Sequence, residues 1–445
     1  MKHRLFIPLM TAILCGTSCT SSNQVEEKSS IGRNMQDIEI YFDSISPRFM
    51  GSIMVTKGDS LIFTKNIGYS DVEKKTPITD TTQFKIGSIS KSFTAILTLK
   101  AIESGKLSMD DKLIKFFPDL NIPNADKITI YHLLHHRSGI QDYFNEVDQK
   151  ELEYTREPQT RESMLKKIST LKSNFEPGEK FSYSNTGFML LAFIVEDLNS
   201  KSYSQLIKEQ IVEPLGLKHT YCFSSDTIAT KSYKYDEGWV VSKETNPFAC
   251  LGTGSVVSTT QDLQKYTYAL KNKFFGDYVF NQMTDYVEGY GCGVAGIKSE
   301  DGKFTISHSG FIDCYFSFMN YDDGVVITML QNGMGVNGLS VFWSIDQAMK
   351  GQEFPIPNLS YMALDSTQIN DYLGVYKCDD RVLTFTNDGK HLVATYKNGF
   401  SAKLDPKSDS YFIDYANDVD VTFNSQKDTV SHRVGGFRST FIKQK

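Results

Sequence analysis

Ser88 and Lys91 form an S-x-x-K motif that could perform nucleophilic chemistry. The motif follows Gly87 directly and opens a predicted buried helix. Residues three apart share a helix face, so the lysine amine is predicted to reach the serine oxygen. Partial burial lowers the pKa of a lysine and suits it to act as a general base, while a helix N-terminus favours developing negative charge. The motif is weak by itself, because Ser163–Lys166 and Ser169–Lys172 repeat it within a charged helical segment.

Two further segments complete the candidate site. Tyr183–Asn185 is a Y-x-N motif between two helical segments, preceded by a Pro-Gly turn. His308–Gly310 is predicted to end a strand, where a glycine permits close approach of a substrate. Y-x-N occurs three more times in the chain, so the prediction depends on the order and spacing of the three motifs. Tyr183 follows Ser88 by 95 residues, and His308 follows Tyr183 by another 125.

The elements that must position these residues alternate between strand and helix patterns. A hairpin is predicted over 51–57 and 61–67, and a buried helix over 88–107. Helical, charged patterns dominate the middle of the chain before strands return near residue 252. A helical insertion therefore interrupts an α/β layer, and the last 85 residues carry an all-β pattern. The predicted boundaries are 35–350 for the first domain (α/β from 35–110 and 250–350, helical insertion 111–249), 351–360 for a linker and 361–445 for a small antiparallel β domain.

Length and composition exclude several classes of protein. A chain of 445 residues predicts two or three domains, and 40% hydrophobic with 22% charged residues predicts a globular core. Lys and Arg number 47 against 53 Asp and Glu, and the acidic excess argues against a nucleic-acid partner. No G-x-S-x-G, G-x-G-x-x-G or Walker-type motif occurs, which disfavours an α/β-hydrolase and gives nucleotide binding no support.

In order and spacing, the three motifs resemble the serine β-lactamase and penicillin-binding-protein superfamily, and most of all its class C β-lactamase, DD-peptidase and esterase group. The likeness extends over about residues 35–350. It implies a β-lactamase/transpeptidase-like α/β (α+β) fold, in which helices flank an antiparallel sheet and an all-α subdomain is inserted. The C-terminal β domain resembles the small lipocalin-like domains attached to some members. Further segments that resemble the family's recurring ones, in its order, are ITIYHLLHHRSGI, FEPGEKFSYSNTGF, PLGLKHT, GTGSVVSTTQDL and YGCGVAG.

The resemblance assigns roles to the first two motifs. Ser88 matches the acylated nucleophile and Lys91 the group that accepts its proton. Tyr183 matches the tyrosine that relays a proton to the leaving group. Asn185 matches the amide that holds the acyl carbonyl of the substrate, and its presence favours an amide substrate, because esterase-like members often lose it.

The third motif departs from the family pattern. His308, Ser309 and Gly310 occupy the substrate-binding segment that is usually Lys-Thr-Gly in class C β-lactamases. A neutral histidine attracts a substrate carboxylate less than a lysine does, which favours a peptidase or esterase over an efficient β-lactamase. The resemblance also implies an oxyanion hole made by the backbone N–H groups of Ser88 and Phe311.

No metal or cofactor is predicted. His132, His135 and His136 have the spacing of one helix face, but no carboxylate or cysteine accompanies them, so a core or supporting role is favoured. The five cysteines beyond the N-terminal region form no C-x-x-C pair and no disulfide framework. A single bridge between Cys222 and Cys250 is left open.

The N-terminus carries a targeting pattern. Residues 1–19 combine a basic start, a short apolar stretch and small residues, which predicts a secretory signal. Cys19 and the polar tether over 20–34 resemble a bacterial lipoprotein start, with Cys19 as the lipidated residue. The alternative is ordinary signal cleavage and a free periplasmic protein. Either route exports the chain, and a lipid anchor would be its contact with a membrane.

The sequence thus predicts an exported serine hydrolase that works without a cofactor through a Ser88 acyl-enzyme. The expected substrate is a peptide or related amide, cell-wall derived in the favoured case. An esterase on small acyl esters is the second enzyme hypothesis. The non-enzymatic hypothesis is a wall-binding protein that keeps the fold without turnover. The oligomeric state is left open.

Overall fold

A computed structural model describes residues 31–144, 149–223 and 228–444. The described chain divides into two compact units, one formed by 50–333 and the other by 31–49 together with 334–444. The second unit therefore combines a segment that precedes the first unit in the sequence with one that follows it. The domain boundaries given above stay a prediction, because compactness does not show which segments fold independently. Across the described ranges, no helix combines the length and apolar character needed to cross a bilayer.

Strands outside the C-terminal domain are short except where they build the central sheet. Their bounds are β1 (Ile31–Gly32), β2 (Phe49–Lys57), β3 (Ser60–Ile67), β4 (Tyr69–Asp71), β5 (Thr76–Pro77), β6 (Phe84–Lys85), β7 (Tyr221–Cys222), β8 (Tyr233–Tyr235), β9 (Trp239–Val241), β10 (Val256–Ser258), β11 (Ile306–Ile312), β12 (Tyr315–Asp322), β13 (Val325–Met334) and β14 (Phe354–Pro355).

Most of the helices lie between β6 and β11 along the chain. Their bounds are α1 (Met35–Ile45), α2 (Ser90–Glu103), α3 (Ile130–Leu134), α4 (Gln149–Arg156), α5 (Arg161–Ser169), α6 (Asn185–Asn199), α7 (Tyr203–Ile207), α8 (Glu213–Leu215), α9 (Thr260–Lys271), α10 (Asp277–Met283), α11 (Gly338–Met349) and α12 (Ser366–Asn370).

The central sheet has the strand order β11-β12-β13-β2-β3, so strands from both ends of the first predicted domain lie side by side. The predicted hairpin is confirmed as the antiparallel pair β2 and β3. β12 and β13 are buried along nearly their whole length, which is typical of strands covered on both faces. The predicted antiparallel sheet with flanking helices is therefore present.

Two helices form the centre of the core beside this sheet. α2 is buried on nearly all sides, as its apolar pattern predicts, and packs against the equally buried α6. This packing brings the first two candidate motifs together, because Ser88 precedes α2 and Tyr183 precedes α6.

Three local predictions are corrected. The α-helix begins at Ser90, and Ser88 lies in the 3-10 turn Gly87–Ile89 directly before it. The third motif lies within β11 and does not end it. The predicted helical insertion also contains β8, which pairs with β13 and so joins the central sheet. A strand of three residues is too short to show the alternation that identifies strands in a sequence.

The predicted C-terminal antiparallel β domain is a closed eight-stranded barrel. Each strand pairs with its sequence neighbour, and the last strand closes on the first through Tyr376 and Lys443. Alternate residues, among them Phe385, Phe412 and Phe423, fill the interior, as expected for a barrel of this size. The strand bounds are β15 (Gly374–Cys378), β16 (Arg381–Asn387), β17 (Leu392–Tyr396), β18 (Ser401–Pro406), β19 (Tyr411–Asp414), β20 (Val419–Phe423), β21 (Thr429–Val434) and β22 (Phe437–Lys443).

Candidate active site

Ser88 lies half-buried in a tight turn between β6 and α2. The turn requires glycine at the preceding position for two reasons. Gly87 has a φ of +49°, which disfavours residues with a side chain. A Cβ on Gly87 would also lie 2.8 Å from the backbone nitrogen of Phe311. The chain therefore presses the peptide that carries Ser88 against the peptide that carries Phe311.

Lys91 is fully buried, and its amine meets three oxygens. The Nζ atom lies 3.0 Å from Ser88 Oγ, 2.7 Å from Asn185 Oδ1 and 3.1 Å from the carbonyl oxygen of Thr253. A neutral amine can donate to two of these acceptors and accept the proton of the serine hydroxyl as the third contact. Lys91 is therefore placed to accept the proton of Ser88 when its amine is in the neutral form.

The ring of Tyr183 lies beside this amine. Lys91 Nζ is 4.7 Å from the centroid of the Tyr183 ring, within cation–π range when the amine is charged. The ring also lies against the imidazole of His136, whose centroid is 4.3 Å away at an angle of 32°. Tyr183 therefore sits between the general-base candidate and a buried histidine, on the loop that leads into α6.

Asn185 is held from behind by a carboxylate that the sequence motifs do not include. Asp142 Oδ2 accepts the backbone N–H of Asn185 at 2.8 Å and its side-chain Nδ2 at 3.1 Å. This pair turns the amide so that Oδ1 faces Lys91. Removal from water raises the pKa of Asp142, and the hydrogen bonds from Asn185 and Phe144 oppose that rise. A hydrogen-bonded chain thus runs from Asp142 through Asn185 and Lys91 to Ser88.

His136 is neutral and holds the backbone at Ser184, directly before α6, in place. Its Nδ1 accepts the backbone N–H of Ser184 at 2.9 Å, so the proton of the neutral ring resides on Nε2. Burial, reinforced by the charge of Lys91, lowers the pKa of His136 well below its usual value. An uncharged imidazole therefore packs against the ring of Tyr183.

His308 is buried and has both ring nitrogens engaged by the protein. Nδ1 lies 2.6 Å from the carbonyl oxygen of Ser309 and therefore donates, while Nε2 lies 3.1 Å from the hydroxyl of Tyr290 and accepts. Burial, then the charge of Lys91, lowers the pKa of His308 to about 3. The ring is uncharged at neutral pH, as expected, and its nitrogens are already committed to the fold.

Ser309, Gly310 and Phe311 run along β11 beside the serine turn. Ser309 is buried, and a Cβ on Gly310 would lie 2.0 Å from the carbonyl oxygen of Ile86. The glycine is therefore required by the close approach of the chain itself, whereas the sequence suggested the approach of a substrate. This packing sets the backbone N–H groups of Ser88 and Phe311 on adjoining peptides, the arrangement that an oxyanion hole needs.

The histidines of the HLLHH segment have separate structural contacts. His132 belongs to the capping box of α3 with Thr129, and His135 Nε2 lies 3.4 Å from the Sγ atom of Cys292. In the described part of the chain, no group of three or more His, Cys, Asp or Glu side chains could hold a metal ion. Cys222 and Cys250 are free thiols, so the open question of a bridge between them is answered in the negative.

The structure brings together most of the predicted site: Ser88, Tyr183 and Asn185 each contact Lys91, and β11 packs against the turn that carries Ser88. Cys19 lies outside the described residues. The sequence interpretation missed Asp142, Thr253 and Tyr290. Asp142 follows the quoted segment ITIYHLLHHRSGI by two residues, and Tyr290 begins YGCGVAG, so both were within reach of a closer look at those segments.

Comparisons with known proteins agree with this geometry. A family model described as Beta-lactamase matches residues 46–348, more than half of the chain. Penicillin-binding protein 4* of Bacillus subtilis (strain 168) is 26% identical over 432 residues, which cover 88% of this chain and 94% of that protein.

Two solved structures share the fold. The octameric penicillin-binding protein homologue from Pyrococcus abyssi matches with a TM-score of 0.64 and 23% identity, covering 91% of this chain and 99% of that one. D-amino acid amidase from Ochrobactrum anthropi SV3, complexed with D-phenylalanine, matches with a TM-score of 0.59 and 22% identity, covering 71% of this chain and 98% of that one. At these identities the likeness concerns the fold.

Proposed function

This chain belongs to the beta-lactamase family of serine hydrolases, and on that premise we propose that Ser88 forms an acyl-enzyme with peptide or related amide substrates. The observation that carries the proposal is the 3.0 Å contact between Lys91 Nζ and Ser88 Oγ at a fully buried lysine. A serine hydroxyl is a weak nucleophile unless a neighbouring base accepts its proton.

The reaction would proceed in two halves. Lys91 takes the proton of Ser88 as Oγ attacks the substrate carbonyl, and the N–H groups of Ser88 and Phe311 stabilise the oxyanion. The carbon–nitrogen bond then breaks, and the leaving amine receives a proton through Tyr183. In the second half, a water molecule attacks the ester on Ser88, giving the free acid and restoring the serine hydroxyl.

The chemistry of the site favours an amide whose recognition does not depend on a carboxylate. Asn185 keeps an amide beside the nucleophile, where it can hold an acyl carbonyl. His308 is neutral and its nitrogens are engaged, so it offers no cation to a carboxylate such as that of a penicillin. The named relatives include penicillin-binding proteins and a D-amino acid amidase, which supports a peptide or amide substrate.

The deciding experiment is intact-protein mass spectrometry after incubation with a penicillin and with a p-nitrophenyl ester. Wild type should gain a mass adduct, and Ser88→Ala should lose acylation by at least about 10⁴-fold while remaining folded. Ser169→Ala is the matched control, because it removes the serine of another S-x-x-K motif, whose hydroxyl bonds only to a helix carbonyl. That variant should acylate like wild type.

The time course separates the remaining hypotheses. A persistent adduct indicates peptidase-like trapping, and a transient adduct with loss of the drug indicates a β-lactamase. A kcat/KM that is higher for the ester than for a D-Ala-D-Ala peptide would favour the esterase. Equal turnover by wild type and Ser88→Ala would refute the nucleophile, and failure of every acylating probe would favour the wall-binding protein. Export and the lipidation of Cys19 stay predictions from the sequence.

A further inference from the structure

A second cluster of charged side chains lies within the first unit, a few residues along the chain from Ser88 and Phe311, whose backbone N–H groups form the proposed oxyanion hole. Lys85 Nζ lies 2.8 Å from Glu244 Oε2 and 3.1 Å from Asp313 Oδ2. The side chains of Lys85 and Asp313 are 1% and 2% exposed, whereas that of Glu244 is 32% exposed. Two fully buried opposite charges therefore meet at a point that the proposed reaction does not use.

The cluster holds three separate parts of the chain. Lys85 belongs to β6, and Asp313 lies in the turn between β11 and β12. The other oxygen of Asp313, Oδ1, accepts the backbone N–H of Thr245 at 2.7 Å and its hydroxyl at 2.8 Å. Both oxygens of the Asp313 carboxylate are thus occupied, one by β6 and one by the segment that leads to Thr253.

Each of these parts delivers an atom to the active site. Lys85 precedes Ser88 by three residues, and Asp313 follows Phe311 by two, so the ion pair ties together the peptides that carry the two oxyanion donors. The segment held through Thr245 continues to Thr253, whose carbonyl oxygen accepts from Lys91. The cluster therefore bears on the nucleophile, the oxyanion donors and the general base without touching any of them.

Stability alone is a poor reason to bury these charges. Desolvation of an ion pair often cancels its attraction, and apolar replacements of similar volume are frequently as stable. Burial acts to lower the pKa of Lys85, but the carboxylates of Asp313 and Glu244 outweigh it and raise that pKa, so Lys85 stays charged in the fold. A buried ion pair fixes the distance and direction between the two chain segments that carry its charges, whereas an apolar contact does not.

We propose that Lys85, Asp313 and Glu244 act as positioning residues that fix the separation of the backbone N–H groups of Ser88 and Phe311. The inference rests on the proposed acyl-enzyme function, because that function is what gives those N–H groups an oxyanion to stabilise. Its consequence is that loss of the cluster lowers the rate of acylation while the affinity for substrate in its ground state is kept.

The test uses the full chain with the paired substitution Lys85→Met and Asp313→Asn, which removes both fully buried charges. Glu244 then loses its cation, but it keeps the hydrogen bond from the Tyr315 hydroxyl at 3.3 Å and is partly exposed to water. The single variant Asp313→Asn is the second test, because asparagine can still accept from Thr245. Asp197→Asn is the matched control: it breaks a two-point ion pair with Arg161, and Asp197 lies about 18 Å along α6 from Asn185.

Three measurements are made on each variant: the rate constant of acylation by a p-nitrophenyl ester, KM, and amide hydrogen exchange over 84–90 and 309–316. The paired variant should acylate about 10- to 100-fold more slowly, with KM within about threefold of wild type. Exchange should rise in both peptides. Asp313→Asn should lose a smaller factor in the same direction, and Asp197→Asn should match wild type in all three measurements.

The outcomes keep this proposal distinct from the proposed function. If wild type acylates through Ser88 and the paired variant does so within about twofold with unchanged exchange, the positioning role is overturned and the acyl-enzyme stands. If the paired variant unfolds, Asp313→Asn decides in the same way. If wild type shows no acylation through Ser88, the proposed function fails, and the inference is overturned with it.

Discussion

Replacing His308 by glutamine should make the first unit less sensitive to acid. His308 is 1% exposed, and burial together with the charge of Lys91 lowers its pKa to about 3. Glutamine keeps one donor and one acceptor for Ser309 and Tyr290 but has no proton to take up. The variant therefore isolates the titration of one buried imidazole.

The size and sign of the effect follow from the two pKa values. Above pH 6.5, the pKa of an unperturbed histidine, His308 is neutral in both the folded and the unfolded chain. Below pH 6.5 the unfolded chain binds a proton that the folded chain refuses until about pH 3, so stability is lost as the pH falls through this window. At about pH 5 the loss amounts to 1.5 units at about 1.36 kcal/mol each, or about 2 kcal/mol.

Urea unfolding at about pH 8 and pH 5 measures this difference. The chain has two tryptophans, Trp239 in the first unit and Trp343 in the second, so a Trp343→Phe background makes fluorescence report the first unit alone. In that background, His308→Gln should lose about 2 kcal/mol less than its parent between the two pH values. His219→Gln, at a partly exposed imidazole, is the control for substitution as such. An equal loss in His308→Gln and its parent would refute the neutral, buried state of His308.

Two further substitutions test the geometry around the nucleophile. Asp142→Asn should slow acylation about tenfold, because a neutral amide accepts the two N–H groups of Asn185 more weakly than a carboxylate does. Stopped-flow kinetics measures the acylation rate. An unchanged rate would contradict the hydrogen-bonded chain from Asp142 through Asn185 to Lys91. Gly87→Ala should lower both the melting temperature and the acylation rate, the former by the equivalent of about 1–2 kcal/mol, because its φ is +49° and its Cβ would meet Phe311. A Gly87→Ala protein with normal melting and normal acylation would show that the turn is less constrained than described.

The parts of the site that the sequence predicts are those encoded by local spacing. Ser88 and Lys91 are three residues apart, and helical structure places residues at this spacing on one face. Ser88 lies in the 3-10 turn Gly87–Ile89, which leads directly into α2, and Lys91 lies in the first turn of α2. The choice among three S-x-x-K motifs was also local, since only one follows a glycine and opens an apolar helix. Likewise, the alternating pattern after residue 361 predicted antiparallel strands, and they close into the barrel.

The parts that the sequence does not predict depend on contacts between distant residues. Asp142 and Asn185 are 43 residues apart, and nothing in either segment indicates that one side chain turns the other. Lys85 meets Asp313 across 228 residues, and no local pattern links the two positions. A buried charge leaves no periodic signal, because its environment is built by elements that only the folded chain brings together.

The charges of the site explain why its third motif matters for the choice of substrate. Burial, and after it the charge of Lys91, lowers the pKa of His136 and His308, so that neither ring carries a positive charge at neutral pH. A family member with lysine in place of His308 would offer a substrate carboxylate an ion pair at this point. In this chain the same point is occupied by a neutral ring bonded to Tyr290. Under the proposed function, recognition would therefore rest on the acyl carbonyl and its oxyanion, which amides and esters share, and selectivity would rest on the leaving group.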